Sequence, residues 1–240
     1  MSLKIGINLT TNYSINFSLP KRRRNIIKFI IIHYTGMKLE REAIKRLCHY
    51  KSNVSSHYFI KKNGDILNLV PDLYEAWHAG DSNWKSFKSL NKYSIGIEIH
   101  NPGHQHGYQS FKSNQILSLN KLVNYLVKKY KIKKKNVLGH SDIAPNRKKD
   151  PGEKFPWKKL AKKRLCLWHN LNEKIIKKFR KQKISYDYKK IFINNLYKIG
   201  YKNHGNKSLT EAFQRRFRQD LIDGKIDKEC FLISKNLLKQ

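Results

Sequence analysis

Apolar and polar positions alternate between two periods along this chain, and the change of period marks out its elements. Ile26 to Ile32 is a nearly continuous run of β-branched and aromatic residues, the pattern of a strand buried on both faces of a helix-covered sheet. From Glu40 to Tyr50 the spacing becomes helical, with Ala43, Ile44, Leu47 and Cys48 on one face and Arg41, Lys45 and Arg46 on the other. His57 to Ile60 and Ile66 to Val70 flank Lys61-Lys62-Asn63-Gly64-Asp65, and Asn-Gly between two apolar runs predicts a hairpin. The sheet is therefore expected to be mixed. Tyr93 to Ile99 reads as a further strand. Ser113 is placed to cap a helix whose buried face is Ile116, Leu117, Leu119, Val123, Leu126 and Val127. Asn136-Val137-Leu138 is a last short strand, and Phe155-Pro156-Trp157 opens a short helix.

These elements predict an α/β fold: a mixed central β-sheet flanked by helices over residues 26–168, followed by a small three-helix domain at 186–240. In that second unit one helix runs from Tyr188 to Tyr197 and stops at Gly200. Another starts at Ser208 or Thr210, and a third ends near Leu238. Residues 1–25 are expected to be a mobile lead-in and residues 169–185 a basic linker.

The candidate chemistry sits at the ends of the predicted strands. The first run delivers His33 at its carboxyl end, where open α/β sheets place their ligand crevice. Glu98 interrupts an otherwise apolar strand, and a buried unpaired carboxylate is costly, so a cation, a bound water or the solvent must face it. The strand at 136–138 leads into Gly139-His140-Ser141-Asp142-Ile143-Ala144-Pro145-Asn146-Arg147-Lys148-Lys149-Asp150-Pro151-Gly152. Its two prolines exclude a continuous helix and predict a rigid loop, which can double back to bring Asp150, with Lys148 beside it, to His140; taken alone it reads equally as a polar surface loop in which Asp142 caps a turn and Lys148 and Lys149 are solvated. Two neutral imidazoles and one carboxylate leave tetrahedral Zn²⁺ one open position, the pattern of a catalytic site, with Glu98 left free as a base. The loop with Trp77, His78 and Trp84 reads equally as a ligand wall or as a loop pinned by its tryptophans. His100, His104 and His106 form a weaker cluster that also has metal-binding residue types.

Composition adds less. The 51 Lys+Arg against 17 Asp+Glu give a formal charge of +34, which predicts attraction to polyanions. That charge is spread along the whole chain beside abundant Ile, Asn and Tyr, so AT-rich coding accounts for it as well as binding would. No nucleic-acid reading motif accompanies it, and no specific nucleic-acid partner is expected. Three distant cysteines imply no disulfide framework. Met1 to Asn25 lacks the apolar stretch of a signal peptide, and no run of about 18 apolar residues occurs, so no membrane span is expected and the expected compartment is the cytoplasm, with the periplasm left open. A monomer is expected.

The motifs Ile31-Ile32-His33-Tyr34-Thr35, Ser55-Ser56-His57-Tyr58, Ala76-Trp77-His78-Ala79-Gly80, Ser94-Ile95-Gly96-Ile97-Glu98 and Gly139 through Gly152 together resemble the zinc-dependent N-acetylmuramoyl-L-alanine amidases of type 2 (the AmpD/AmiD group). They cover residues 26–168 in order. The segment Ala212 to Arg218 with Asp223-Gly224 resembles the helical peptidoglycan-binding domain of the AmiD branch. The resemblance implies that His33, His140 and Asp150 ligate Zn²⁺, that Glu98 is the general base and that Lys148 stabilises the oxyanion. It further implies that Tyr34, His57, Trp77 and His78 line the cleft for a peptidoglycan or muropeptide substrate. The bond cut would join N-acetylmuramic acid, or its 1,6-anhydro form, to L-alanine, in cell-wall turnover or recycling. Phage-type members carry a Tyr where Ser56 stands, so no tyrosine-assisted mechanism is implied. A noncatalytic peptidoglycan-binding protein is the alternative, which the intact ligand set disfavours.

Overall fold

The computed structural model describes residues 7–8 and 13–240. In chain order the strands are β1 (Ile7–Asn8), β2 (Phe17–Ser18), β3 (Phe29–Tyr34), β4 (Tyr58–Ile60), β5 (Ile66–Asn68), β6 (Glu75–Ala76), β7 (Asn83–Trp84), β8 (Phe87–Lys88), β9 (Ser94–Ile99) and β10 (Val137–Gly139). The helices are α1 (Glu40–Cys48), α2 (Ser113–Tyr130), α3 (His140–Ile143), α4 (Trp157–Lys162), α5 (Glu173–Ile176), α6 (Tyr186–Ile199), α7 (Asn206–Phe217) and α8 (Lys228–Leu237).

Six strands form the central sheet in the order β1-β5-β4-β9-β3-β10. Strands β4, β9, β3 and β10 run parallel, while β4 and β5 pair antiparallel through the expected Asn-Gly hairpin, so the sheet is mixed. Alternation along the strands sends successive side chains to opposite faces. On one face Ile30, Ile32, Ile95, Ile97 and Ile99 pack with Leu119, Val123 and Leu126 of α2. The other face is divided. Phe59 and Leu67 of β4 and β5 pack with Ala43 and Leu47 of α1. At the far side Phe29, Ile31 and Leu138 pack with Phe192, Phe213 and Ile233 of the C-terminal helices. Between these two covered regions the upper ends of β9 and β3 are left open. That gap positions the site.

The unit at 186–240 has the three expected helices, but its apolar core is continuous with the sheet. Its first helix starts at Tyr186, two residues before the expected start, because the Ser185 side chain accepts the Tyr188 N–H. Gly200 ends it as expected. The next helix begins at Asn206, ahead of Ser208, and the third is capped by Asp227. Residues 169–185 are more ordered than a linker: Asn172 caps α5, and Ile176 is buried in the shared core. The expected mobile lead-in also differs where it is described. Ser14, Asn16 and Arg22 are buried, and the Asn16 side-chain amide donates to the carbonyls of His49 and Val54 at 2.9 and 3.0 Å. The rest of that expectation, residues 1–6 and 9–12, lies outside the described residues. Ser113 is the first residue of α2, not its cap; the Gln115 side chain accepts the Lys112 N–H at 3.0 Å and closes that end.

Candidate metal centre

The parallel register places His33 of β3 directly beside Glu98 of β9, and Gly139 of β10 beside Ile32. His140 follows Gly139, so three neighbouring strands deliver His33, Glu98 and His140 to one end of the sheet. The loop after β10 begins as a single helical turn, α3, where a plain loop was expected. The Asp142 carboxylate accepts the Gly139 N–H at 2.8 Å and closes this turn. The chain then doubles back, and the Ser141 N–H donates to the Asp150 carbonyl at 2.9 Å. Asp150 thus returns beside His140, the doubling back that the spacing of the two residues allows.

His33 Nδ1, His140 Nδ1 and Asp150 Oδ2 lie 3.0, 3.0 and 3.1 Å from one another, and all three residues are buried. Zinc bonds of about 2.0–2.1 Å in tetrahedral geometry separate donor atoms by about 3.3 Å, so this triangle is within a few tenths of an ångström of a zinc site. The proton inventory points the same way. His140 Nε2 donates to the Ala79 carbonyl at 3.0 Å, which leaves His140 Nδ1 a bare lone pair in the neutral ring. Ser94 Oγ donates to the Leu90 carbonyl at 2.6 Å and so accepts from His78 Nε2 at 3.1 Å. His78 Nδ1 then accepts from His33 Nε2 at 3.0 Å, and His33 Nδ1 is bare as well. Burial above all lowers His33 to about 4, so protonation does not relieve the crowding at neutral pH. Burial would raise Asp150, but the His140 and His33 rings against it outweigh burial and hold the carboxyl well below its usual range, so it is ionised. Three electron-pair donors therefore face one point without a proton between them, which is the donor set a divalent cation fits.

The cleft above this triangle has a volume of about 490 Å³ and is lined by Tyr34, Trp77, His78, Glu98 and Lys148 among others. Glu98 Oε2 is buried and has no hydrogen-bond partner. Burial raises Glu98 to about 8, Asp150 adds to the rise and Lys148 opposes it. Lys148 is half-buried and lines the same cleft. Tyr34 is held at the rim by its hydroxyl, which donates to His104 Nδ1 at 2.8 Å, and His104 Nε2 donates to Glu153 at 3.0 Å.

One expected cleft residue is placed differently. His57 is fully buried and outside the cleft; its Nδ1 accepts the Gly96 N–H at 3.0 Å, and burial lowers it to about 3. Of the two readings of Trp84, the pinned one is what the structure has: it is buried, with its ring 4.9 Å from that of Tyr201. His78 does reach the cleft, but its polar atoms serve His33. Gly96 makes room for it: a Cβ there would lie 2.4 Å from His78 Cγ. His100, His104 and His106 are not brought together, and among the described residues His33, His140 and Asp150 form the one group able to hold a metal.

Residues 22–153 match the family described as N-acetylmuramoyl-L-alanine amidase. The chain belongs to that family. Within it, the chain is 33% identical to N-acetylmuramoyl-L-alanine amidase AmiD of Escherichia coli K12, over 99% of this chain and 90% of that protein. It is 40% identical to 1,6-anhydro-N-acetylmuramyl-L-alanine amidase AmpD of Haemophilus influenzae over 46% of this chain and 58% of that protein. Among solved structures, E. coli AmiD in complex with the substrate anhydro-N-acetylmuramic acid-L-Ala-D-γ-Glu-L-Lys superposes with a TM-score of 0.80 at 31% identity, covering 92% of this chain and 91% of that one. AmpDh3 of Pseudomonas aeruginosa does so with a TM-score of 0.77 at 30% identity, covering 92% of this chain and 94% of that one. The mixed sheet with its helical C-terminal region is thus the architecture of these amidases.

Sequence reasoning did not single out Ser94 or the Ala79 carbonyl. Ser94 had a visible signal, since Ser94, Gly96 and Glu98 alternate on one face of β9. The Ala79 carbonyl had none, because a backbone acceptor is available at every residue.

Proposed function

We propose that the chain hydrolyses the amide bond between the lactyl group of N-acetylmuramic acid, in its 1,6-anhydro form, and L-alanine of the stem peptide. Two observations support the substrate class: AmiD is solved with an anhydro-N-acetylmuramic acid peptide, and AmpDh3 with an anhydromuramic pentapeptide. The observation that carries the reading is the convergence of three unprotonated donors with an unpartnered Glu98 oxygen in one cleft. His33, His140 and Asp150 hold Zn²⁺ in this reading. Zinc would supply Lewis acidity toward the amide carbonyl and lower the pKa of water.

Glu98 does the proton work. As the carboxylate, its free oxygen accepts a proton from the water that adds to the carbonyl carbon and passes that proton to the amide nitrogen as the C–N bond breaks. Negative charge that develops on the carbonyl oxygen is balanced by the Lys148 ammonium across the cleft. Tyr34 and Trp77 flank the bound glycan or peptide; Trp77 is steadied by donation from its Nε1 to Ser18 Oγ at 2.9 Å. The group is complete within one chain, in keeping with action as a monomer. Among the described residues no helix is long and apolar enough to cross a membrane. The activity in this reading serves recycling of soluble anhydro-muropeptides.

The test is mass spectrometry of products after the zinc-loaded chain is incubated with purified sacculi and, separately, with a soluble 1,6-anhydro-N-acetylmuramoyl peptide. Free stem peptide from the soluble substrate alone is the expected result. Release from sacculi as well would contradict the restriction to recycling, and release from neither would leave a noncatalytic binding protein.

A further inference from the structure

The helical unit at 186–240 is joined to the metal loop by a charged contact at its base. Arg216 of α7 is buried and pairs with the Asp142 carboxylate. Its Nη2 also donates to the Val137 carbonyl of β10 at 3.0 Å. Tyr201, which follows α6, donates its hydroxyl to the other Asp142 oxygen at 2.7 Å. The guanidinium carbon lies 4.3 Å from the centre of the Trp157 ring and 5.1 Å from that of Phe217. Two residues of the C-terminal unit therefore grip the backbone at 137 and the side chain at 142, on either side of His140.

The grip extends to the other ligand. Gly139 has no Cβ, and one placed there would lie 2.7 Å from Pro151 Cδ and 3.1 Å from Trp157 Cζ2, so the two arms of the loop are in contact beneath the site. Ser141 then ties the first arm to the Asp150 carbonyl. The same unit also abuts the loop that carries Ala79, the acceptor for His140: the Lys85 N–H donates to the Gly200 carbonyl at 2.7 Å, and Trp84 packs on Tyr201.

Stability is a poor explanation of such a contact. Desolvating a carboxylate and a guanidinium costs about as much as their attraction returns, and apolar residues of similar size pack at least as well. A fully buried guanidinium divided between a carboxylate and a backbone carbonyl does offer geometric definition, and here it defines the turn that presents a metal ligand.

We propose that Arg216 and Tyr201 are positioning residues for the metal site, so that the C-terminal helical unit sets metal affinity through Asp142 in addition to any contact it makes with cell-wall polymer. The inference rests on the metal-site reading above.

The test uses the full chain and compares Arg216→Lys, Asp142→Asn and Tyr201→Phe with a matched control, Arg218→Lys. Arg218 is equally buried, but its partners Asp223 and Asp227 lie wholly within the C-terminal unit. Zinc affinity is read by competition with a chelator, ligand geometry by the visible spectrum of the Co²⁺-substituted protein, and stability by the thermal midpoint. Arg216→Lys and Asp142→Asn are expected to weaken zinc binding about 10- to 100-fold, the range for groups that orient ligands, and to shift the cobalt spectrum. Tyr201→Phe removes one hydrogen bond and no packing volume, so it should fold and weaken zinc several-fold. Arg218→Lys should lower the midpoint and leave zinc affinity and the cobalt spectrum unchanged. Unchanged affinity in all three loop-directed variants, or an equal loss in Arg218→Lys, would overturn the inference alone. Failure of the unsubstituted chain to bind zinc would overturn the metal-site reading and this inference with it.

Discussion

His33 Nε2 and His78 Nδ1 are 3.0 Å apart, and the direction of the proton between them is decided by Ser94, one hydrogen bond farther out. Because the Ser94 hydroxyl proton is committed to the Leu90 carbonyl, His78 carries its proton on Nε2 and presents a lone pair to His33. Ser94→Ala frees His78 to adopt the other tautomer, which would place two N–H groups face to face and drive the His33 proton onto Nδ1, the metal-facing atom. Zinc affinity measured by chelator competition should fall roughly tenfold, in line with loss of an orienting partner. Nitrogen-15 shifts of the two rings should show mixed tautomers in the metal-free variant; a single unchanged tautomer set with unchanged affinity would refute the relay.

Gly96→Ala should act on the same pair by sterics. The added methyl would fall 2.4 Å from the His78 ring in the middle of a strand, where neither backbone can retreat. A stability loss of about 1–3 kcal/mol is expected from overpacking, read as a lower denaturation midpoint, together with weakened zinc binding.

Glu98→Gln should keep zinc and lose turnover by a factor of about 10² to 10⁴, the usual contribution of a positioned general base. A second readout comes from the metal-free protein. With its pKa raised to about 8 in the fold, Glu98 retains a proton that an unfolded glutamate gives up near about 4.3. Between those values the native state binds more protons than the unfolded one, so this group makes stability fall as pH rises from roughly 4.3 to about 8. Glu98→Gln should remove that slope from the pH dependence of the thermal midpoint of the chelator-treated chain. If the slope persists, the proton resides elsewhere.

The ends of the strands were legible because chemistry there breaks an apolar pattern: His33 follows an unbroken run of isoleucines, and Glu98 interrupts another. The return of Asp150 to His140 was legible only in part: two prolines exclude a continuous helix, and the spacing allows the loop to double back. What the sequence could not show was the environment that chooses a role. His57 and His78 occur in similar local contexts, yet one is sealed beneath β9 and the other meets His33, and only the strand packing separates them. The Arg216–Asp142 pair was hidden for a related reason, since 74 residues separate its partners and a basic cluster on a helix normally faces solvent. Likewise, the described part of the lead-in was read as mobile because its anchors are single polar side chains, such as Asn16, rather than a periodic apolar face.

Lys148 offers the cleanest separation of binding from chemistry. It lines the cleft beside Glu98 and is not in the ligand triangle, and its backbone N–H is fixed by the Ala144 carbonyl at 3.0 Å, so substitution of its side chain leaves the loop in place. Lys148→Met retains most of the aliphatic stem and deletes the charge. Zinc affinity should be preserved, and so should KM, because the ammonium acts on charge that appears only as the carbonyl oxygen becomes negative. Turnover should fall about 10²- to 10³-fold, the cost of losing one group that stabilises an oxyanion. A rise in KM with unchanged kcat would instead make Lys148 a contact for the ground-state substrate, such as a stem-peptide carboxylate, and would move the oxyanion partner elsewhere in the cleft.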